Sequence, residues 1–182
     1  MALEQDIANL IDASNNLTTI VDNKIQSIDA RVIKQAQEVE EAMKRLQTIG
    51  TGGVGTRAIG VCNYFTAQHG SAFIHLKLPL KLSLHNEMFR LDVTGYAYGE
   101  AKPVDSVFVG YCYKNGNGLV NTNCSGSHSP HIYRGSDDHV YCRLTFPTQY
   151  FLTLSVDTIR VGNGRLLKHG EIELINSQLE LL

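Results

Sequence analysis

A heptad ladder runs without a slip from Ile7 to Ile49 and constrains what the whole chain can be. With Ile11 as position a, the a series reads Ile11, Thr18, Ile25, Val32, Val39 and Leu46. The d series reads Ile7, Ser14, Val21, Ile28, Gln35, Ala42 and Ile49. Ten of these thirteen positions are apolar. A seam of this length cannot be buried by the helix that carries it, so it demands other helices. β-branched side chains at both a and d disfavour the tight parallel dimer and favour three strands or more. Residues 1–49 are therefore expected to form the stalk of a parallel trimer. Ser14, Thr18 and Gln35 interrupt the ladder as register marks, and the charged residues, from Asp6 to Arg45, lie mainly off the seam.

The ladder gives way at Gly50-Thr-Gly-Gly-Val-Gly55, read with the next two residues as a joint, 50–57. The stretch is glycine-rich but follows a helix instead of opening one, and no Lys-Ser or Lys-Thr comes after it, so a phosphate cradle is excluded. Beyond it the apolar period changes to two. Ile74, Leu76, Leu78, Leu80, Leu82 and Leu84 alternate with polar residues, and Pro79 on the polar face marks an edge strand or a bulge. Further runs cover Phe89–Val93, Val107–Tyr113, Val140–Phe146, Leu152–Val156, Ile159–Val161 and Ile172–Leu174, with Gly162-Asn163-Gly164 as a hairpin-type turn. Around eight strands without a credible helix predict an antiparallel β-sandwich, jelly-roll-like, as a head domain over 58–182. The segment Lys114–His139 lacks a regular pattern and is rich in Gly, Asn, Ser, His and Tyr, which reads as a long functional loop.

Hydrophobic residues make up 43% of the chain and charged residues 19%, which suits a folded head and argues against disorder. A net charge of −2 and no basic stripe argue against a nucleic-acid partner. No apolar run reaches the roughly 20 residues that span a bilayer, and Met1 leads into the heptads without a signal peptide, so neither membrane insertion nor export is expected. Cys62, Cys112, Cys124 and Cys142 have no CxxC spacing, and free thiols are expected in a reducing compartment. Cys112 and Cys142 sit in strand patterns as small buried hydrophobes.

Phe89-Arg-Leu-Asp-Val-Thr-Gly-Tyr-Ala-Tyr-Gly99, Lys102-Pro-Val-Asp-Ser-Val-Phe-Val-Gly-Tyr111 and Val156-Asp-Thr-Ile-Arg-Val-Gly-Asn-Gly164 resemble a head domain of tailed-bacteriophage virion proteins. That head stands at the C-terminal ends of tail fibres and related appendages. Leu10-Ile-Asp-Ala-Ser-Asn-Asn-Leu-Thr-Thr19 resembles the opening of short phage fibre chains. The resemblance implies a trimeric virion fibre with a β-rich tip, attached to other virion proteins by one end, taken to be the N-terminal one. It carries no catalytic signature.

Catalytic and metal readings find little footing. Asp137 and Asp138 are adjacent, so their side chains diverge and cannot flank a glycosidic bond. No nucleophile elbow or zincin motif occurs. His128 and His131, in His-Ser-Pro-His, are kept off a shared helical face by the proline, and exposed imidazoles in a polar loop account for them without a metal. No enzyme activity, cofactor or metal is expected.

Recognition fits better, because rigid aromatics beside short polar side chains read polar surfaces well. Tyr96, Tyr98, Tyr111, Tyr113, Tyr133 and Tyr141 supply the rings. Tyr111 and Tyr113 share a face with Val107 and Val109 and read as core or inter-subunit packing. The candidate receptor contacts are Asn117, Asn121, His128, His131, Tyr133 and Asp137, all in the Lys114–His139 segment. The expected function is host-surface adhesion, to a saccharide or an outer-membrane component. The alternatives are a decoration, adaptor or capsid fibre whose head holds other virion proteins, and a non-viral trimeric head of the complement or tumour-necrosis-factor type.

Overall fold

A computed structural model describes residues 2–51, 54–116 and 118–182, with side chains over 3–41, 56–116 and 118–182. Asn117 therefore lies outside the described residues, as do Gly52 and Gly53 of the joint and the side chains of Ala42, Leu46 and Ile49 of the seam. The chain forms two units, 1–46 and 47–182.

The first unit is a helix, α1 (Ala2–Gln47), of 46 residues. It contains neither Gly nor Pro, the two residues that most disfavour a helix interior. Ile7, Ile11, Val21, Ile25, Ile28, Val32 and Val39 are each 46–59% exposed on the single chain. Thr18, at an a position, donates its hydroxyl hydrogen to the Ser14 carbonyl oxygen at 3.0 Å and so needs no polar partner on another helix.

The second unit is built from ten strands: β1 (Thr48–Thr51), β2 (Val54–Thr66), β3 (Ala72–Lys81), β4 (Asn86–Ala97), β5 (Lys102–Tyr113), β6 (Gly118–Gly126), β7 (His131–Arg134), β8 (His139–Phe146), β9 (Leu152–Ile159) and β10 (Glu173–Ser177). Every neighbouring pair is antiparallel. One sheet has the order β1-β2-β9-β4-β5-β6 and the other β10-β3-β8-β7. Ile74, Leu76, Leu78 and Leu80 of β3 join Phe89, Leu91, Phe108, Leu154 and Val156 of the six-stranded sheet in one buried apolar cluster, so the two sheets share a core.

Several details depart from the sequence reading. The residues read as a joint are partly strand: Gly50 and Thr51 end β1, and residues 54–57 open β2, which pairs back on β1. The strand β2 as a whole lacked a period-two signal because a bulge between Ala58 and Cys62 shifts its phase. The bulge is pinned by Asp157, which accepts hydrogen bonds from the Gly60 backbone N–H at 2.9 Å and the Arg57 guanidinium at 2.7 Å. Pro79 lies where β3 has no β10 partner and where its pairing with β8 shifts, so it occupies an irregularity and not a full edge strand. The β3 run ends at Lys81, and Leu82, although buried, lies in a turn. Gly162-Asn163-Gly164 is a turn, with Gly164 N–H bonded to the Val161 carbonyl at 2.9 Å, but it closes no hairpin: β9 leads through it to β10 in the other sheet.

The face of β5 is inverted relative to expectation. Val104, Ser106, Phe108, Gly110 and Cys112 point inward and are buried, whereas Val107, Val109, Tyr111 and Tyr113 are half-buried on the outer face. The inner face looked polar because two of its members are small, and they are small for a packing reason. Phe89 is directly opposite Gly110 across the β4–β5 pair, and a Cβ at Gly110 would sit 2.6 Å from its ring.

Gly110→Ala is accordingly expected to cost about 1–3 kcal/mol through overpacking against Phe89. Chemical denaturation reads this as a lower midpoint at unchanged slope, and an unchanged midpoint would contradict the Phe89–Gly110 packing.

Candidate functional site

The segment read as an irregular loop, Lys114–His139, is mostly ordered pairing. It holds β6, the outer strand of the six-stranded sheet, and β7, the outer strand of the other. Alternation failed here because edge strands need only half-bury one face and β6 carries Asn121, Thr122, Asn123 and Ser125. Between these two edges runs an open groove of about 260 Å³ lined by Thr122, Asn123, Cys124, His131 and Ile132. Asn121 is exposed at φ 49°, in the register shift where β6 slips against β5. Asn tolerates that left-handed conformation better than most residues. Asn121 and His131 are therefore on or beside an open polar groove.

The other candidates are elsewhere. The His128 side chain is only 2% exposed. Its ring packs on Phe146 at 4.6 Å, and its Nδ1 lies 2.7 Å from Ser127 Oγ. Burial pushes the imidazole below its ordinary value, which the nearby Glu100 carboxylate partly opposes. Its Nε2 is 3.8 Å from Glu100. Asp137, beyond the end of β7, accepts hydrogen bonds from Lys77 Nζ at 2.7 Å, the His139 backbone N–H at 3.1 Å and the Tyr141 hydroxyl at 3.1 Å. Partial burial alone would raise this carboxyl, but those hydrogen bonds hold it well below the usual carboxylate range. His128, His131 and Asp137 do not converge, and no group of three His, Cys, Asp or Glu side chains among the described residues is placed to hold a metal ion.

Tyr133, read from the sequence as a candidate receptor contact, is buried. It stacks on Tyr141 at 5.2 Å and donates its hydroxyl hydrogen to His75 Nδ1 at 2.7 Å. His75 is fully buried, and its Nε2 lies 3.0 Å from the Leu179 carbonyl. A carbonyl only accepts, so Nε2 carries the proton and Nδ1 is the acceptor. Residues 178–182 thus lie along the outer face of the smaller sheet. Arg143 holds them through the Glu180 carbonyl at 2.9 Å and carboxylate at 3.0 Å, and the Ser136 N–H through the Leu182 carbonyl at 2.9 Å. Desolvation keeps His75 below its ordinary value, aided by the Arg143 charge, and pushes Tyr133 up to about 12.

Sequence reasoning missed a cluster of rings at the end of the head where the turns 67–71, 98–101 and 147–151 meet. Gly99 N–H bonds to the Tyr150 carbonyl at 3.0 Å and Gln149 N–H to the Gly70 carbonyl at 2.8 Å, which ties the three turns together. Phe65 and Phe151 have centroids 6.4 Å apart, Phe151 and Tyr98 5.9 Å, Tyr98 and Tyr96 6.3 Å, and His69 stacks on Tyr150 at 4.1 Å. Tyr96 and Tyr98 were singled out as rings for recognition, but their partners come from residues far apart in sequence, and no local pattern joins them.

No family model, curated protein or solved structure matches the chain. Among the described residues, no helix is long and apolar enough to cross a membrane.

The burial of two neutral imidazoles gives the head a defined response to acid. A histidine whose folded pKa lies below its ordinary 6.5 binds protons more readily when unfolded. The stability from keeping it neutral is complete above about pH 6.5 and falls as pH drops toward the folded value. Asp137 and Asp138, both held low, add a second loss only below about their ordinary 3.8. His75→Gln keeps a donor and an acceptor but cannot titrate, so its melting temperature is expected to fall less between pH 7 and pH 5 than that of the wild type. Parallel melting profiles for the two proteins would contradict this.

Proposed function

We propose that the chain is a non-enzymatic homotrimeric fibre of a tailed-phage virion, with α1 as a parallel coiled-coil stalk and a jelly-roll-like head that adheres to the host surface. The observation that carries it is the apolar seam of α1, exposed along its described length on the single chain. Near the N-terminus Leu3, Leu10 and Leu17 recur at the g position beside that seam and are also exposed, which widens the apolar stripe beyond what a two-stranded pairing covers. Burying the remaining half of each seam side chain is worth on the order of 1 kcal/mol per residue. Seven such side chains on each of three chains give a gain of the same order as the cost of two association steps, about 4–15 kcal/mol each, before the leucines at g are added. The heptads and the resemblance of the head segments to phage appendage domains support the virion assignment. Three identical heads on one stalk raise effective concentration at a repetitive cell surface, so a weak single contact is sufficient.

The protein is expected to sediment at three times its 20.1 kDa chain mass, to bind host cells and to compete with phage adsorption. Ile25→Asn with Ile28→Asn is expected to give a monomer whose head still melts cooperatively and whose cell binding falls about a hundredfold or more. A wild-type monomer or dimer would overturn the trimer. A trimer that binds no cells, from a phage that adsorbs normally without it, would replace adhesion with decoration of the virion.

A further inference from the structure

We infer that the aromatic end of the head is a binding site for a neutral saccharide about two sugar rings long, an assignment that rests on the adhesion reading and names the chemistry it recognises. Among the described head residues the exposed large aromatic side chains are Phe65, Tyr96, Tyr98 and Phe151, and all four belong to this one connected cluster. Phe65 is 63% exposed, an exposure ordinary packing does not explain.

The strand register gives the cluster its order. Thr153 of β9 pairs with Phe65 of β2 on one side and with Tyr96 of β4 on the other. The outer face of the sheet therefore presents a row of ring, hydroxyl and ring, with the two rings about 10 Å apart across two strand spacings. Phe151 precedes this row on the same chain segment and is held at φ 49°, a conformation that costs a bulky residue on the order of 1 kcal/mol or more and persists only where its surroundings impose it.

The composition decides the partner. A sugar ring offers an apolar C–H face to an aromatic ring and hydroxyls around its rim, and the row supplies both kinds of contact, with Gln68 and His69 exposed beside it. Glu100 and Lys102, the charges next to Tyr98, face each other at 3.8 Å, so the surface offers no net charge to an anionic polymer. Four half-exposed aromatic side chains amount to roughly 400 Å², about half of what each partner contributes to a stable protein interface of standard size. That area suits a short saccharide and falls short of a docked protein.

The test uses the full-length trimer on bacterial envelopes to which the phage adsorbs, before and after mild periodate, and on a panel of neutral disaccharides by saturation-transfer NMR. Wild type is expected to bind untreated envelopes, to lose binding after periodate and to engage at least one disaccharide. Phe65→Ala and Tyr96→Ala are each expected to weaken envelope binding about tenfold or more, and Leu84→Ala, an exposed apolar control in the β3–β4 turn, to leave it unchanged. Envelope binding that survives periodate, or that the two variants retain, overturns the saccharide site while adhesion stands. A fall in melting temperature or trimer content in both variants assigns the rings to packing between copies and also overturns it. If wild type binds no envelope the adhesion reading falls, and the site falls with it only if no disaccharide is engaged either.

Discussion

An apolar stripe that its own helix cannot cover governs this protein. Hydrophobic burial is proportional to the area removed from water, and α1 (Ala2–Gln47) is a single helix with its seam exposed throughout the described part. The head has no comparable deficit, since its two sheets enclose a complete apolar cluster and its outer strands carry polar side chains. The need for partners is thus written into the first unit, whereas the second closes on itself. On the proposed reading, that separation lets assembly be specified by residues that take no part in recognition.

Within the head, the same economy of space recurs at the places where strands approach closely. Gly110 is a glycine because Phe89 occupies the volume its Cβ would need. Asp157 is where it is because the β2 bulge leaves the Gly60 N–H without a ladder partner. His75 is tolerated fully buried because both ring nitrogens are satisfied, one by Tyr133 and one by the Leu179 carbonyl. In each case a residue that looks exceptional in the sequence answers a demand made by a neighbour distant along the chain.

This explains which parts were legible in the sequence. Period-two runs revealed β3, β4, β8 and β9, whose inner faces are almost wholly apolar. The strands β2, β6 and β7 escaped because a bulge, an edge position and shortness each destroy alternation. On β5 the pattern was visible but its sense was inverted, since small inner residues were read as the polar side. The candidate contacts suffered from the same limit. Composition correctly marked 114–139 as unusual, yet it could not distinguish Asn121 and His131, which stay at the surface, from His128 and Tyr133, which are buried.

The aromatic end exposes the deeper reason. Phe65 lies on β2, Tyr96 on β4 and Phe151 in the turn that leads into β9, segments far apart along the chain, so their grouping exists only once β9 is inserted between β2 and β4. A recognition surface of this kind is a property of strand order, which local periodicity does not encode. Thr153 of β9 is paired on both sides, with Phe65 and with Tyr96, which fixes the backbone spacing of the two rings before anything binds. On the proposed reading, ordered rings in a weak site and a stalk that repeats the site three times are complementary solutions to one problem. The first lowers the entropic cost of each contact, and the second multiplies contacts without enlarging any of them.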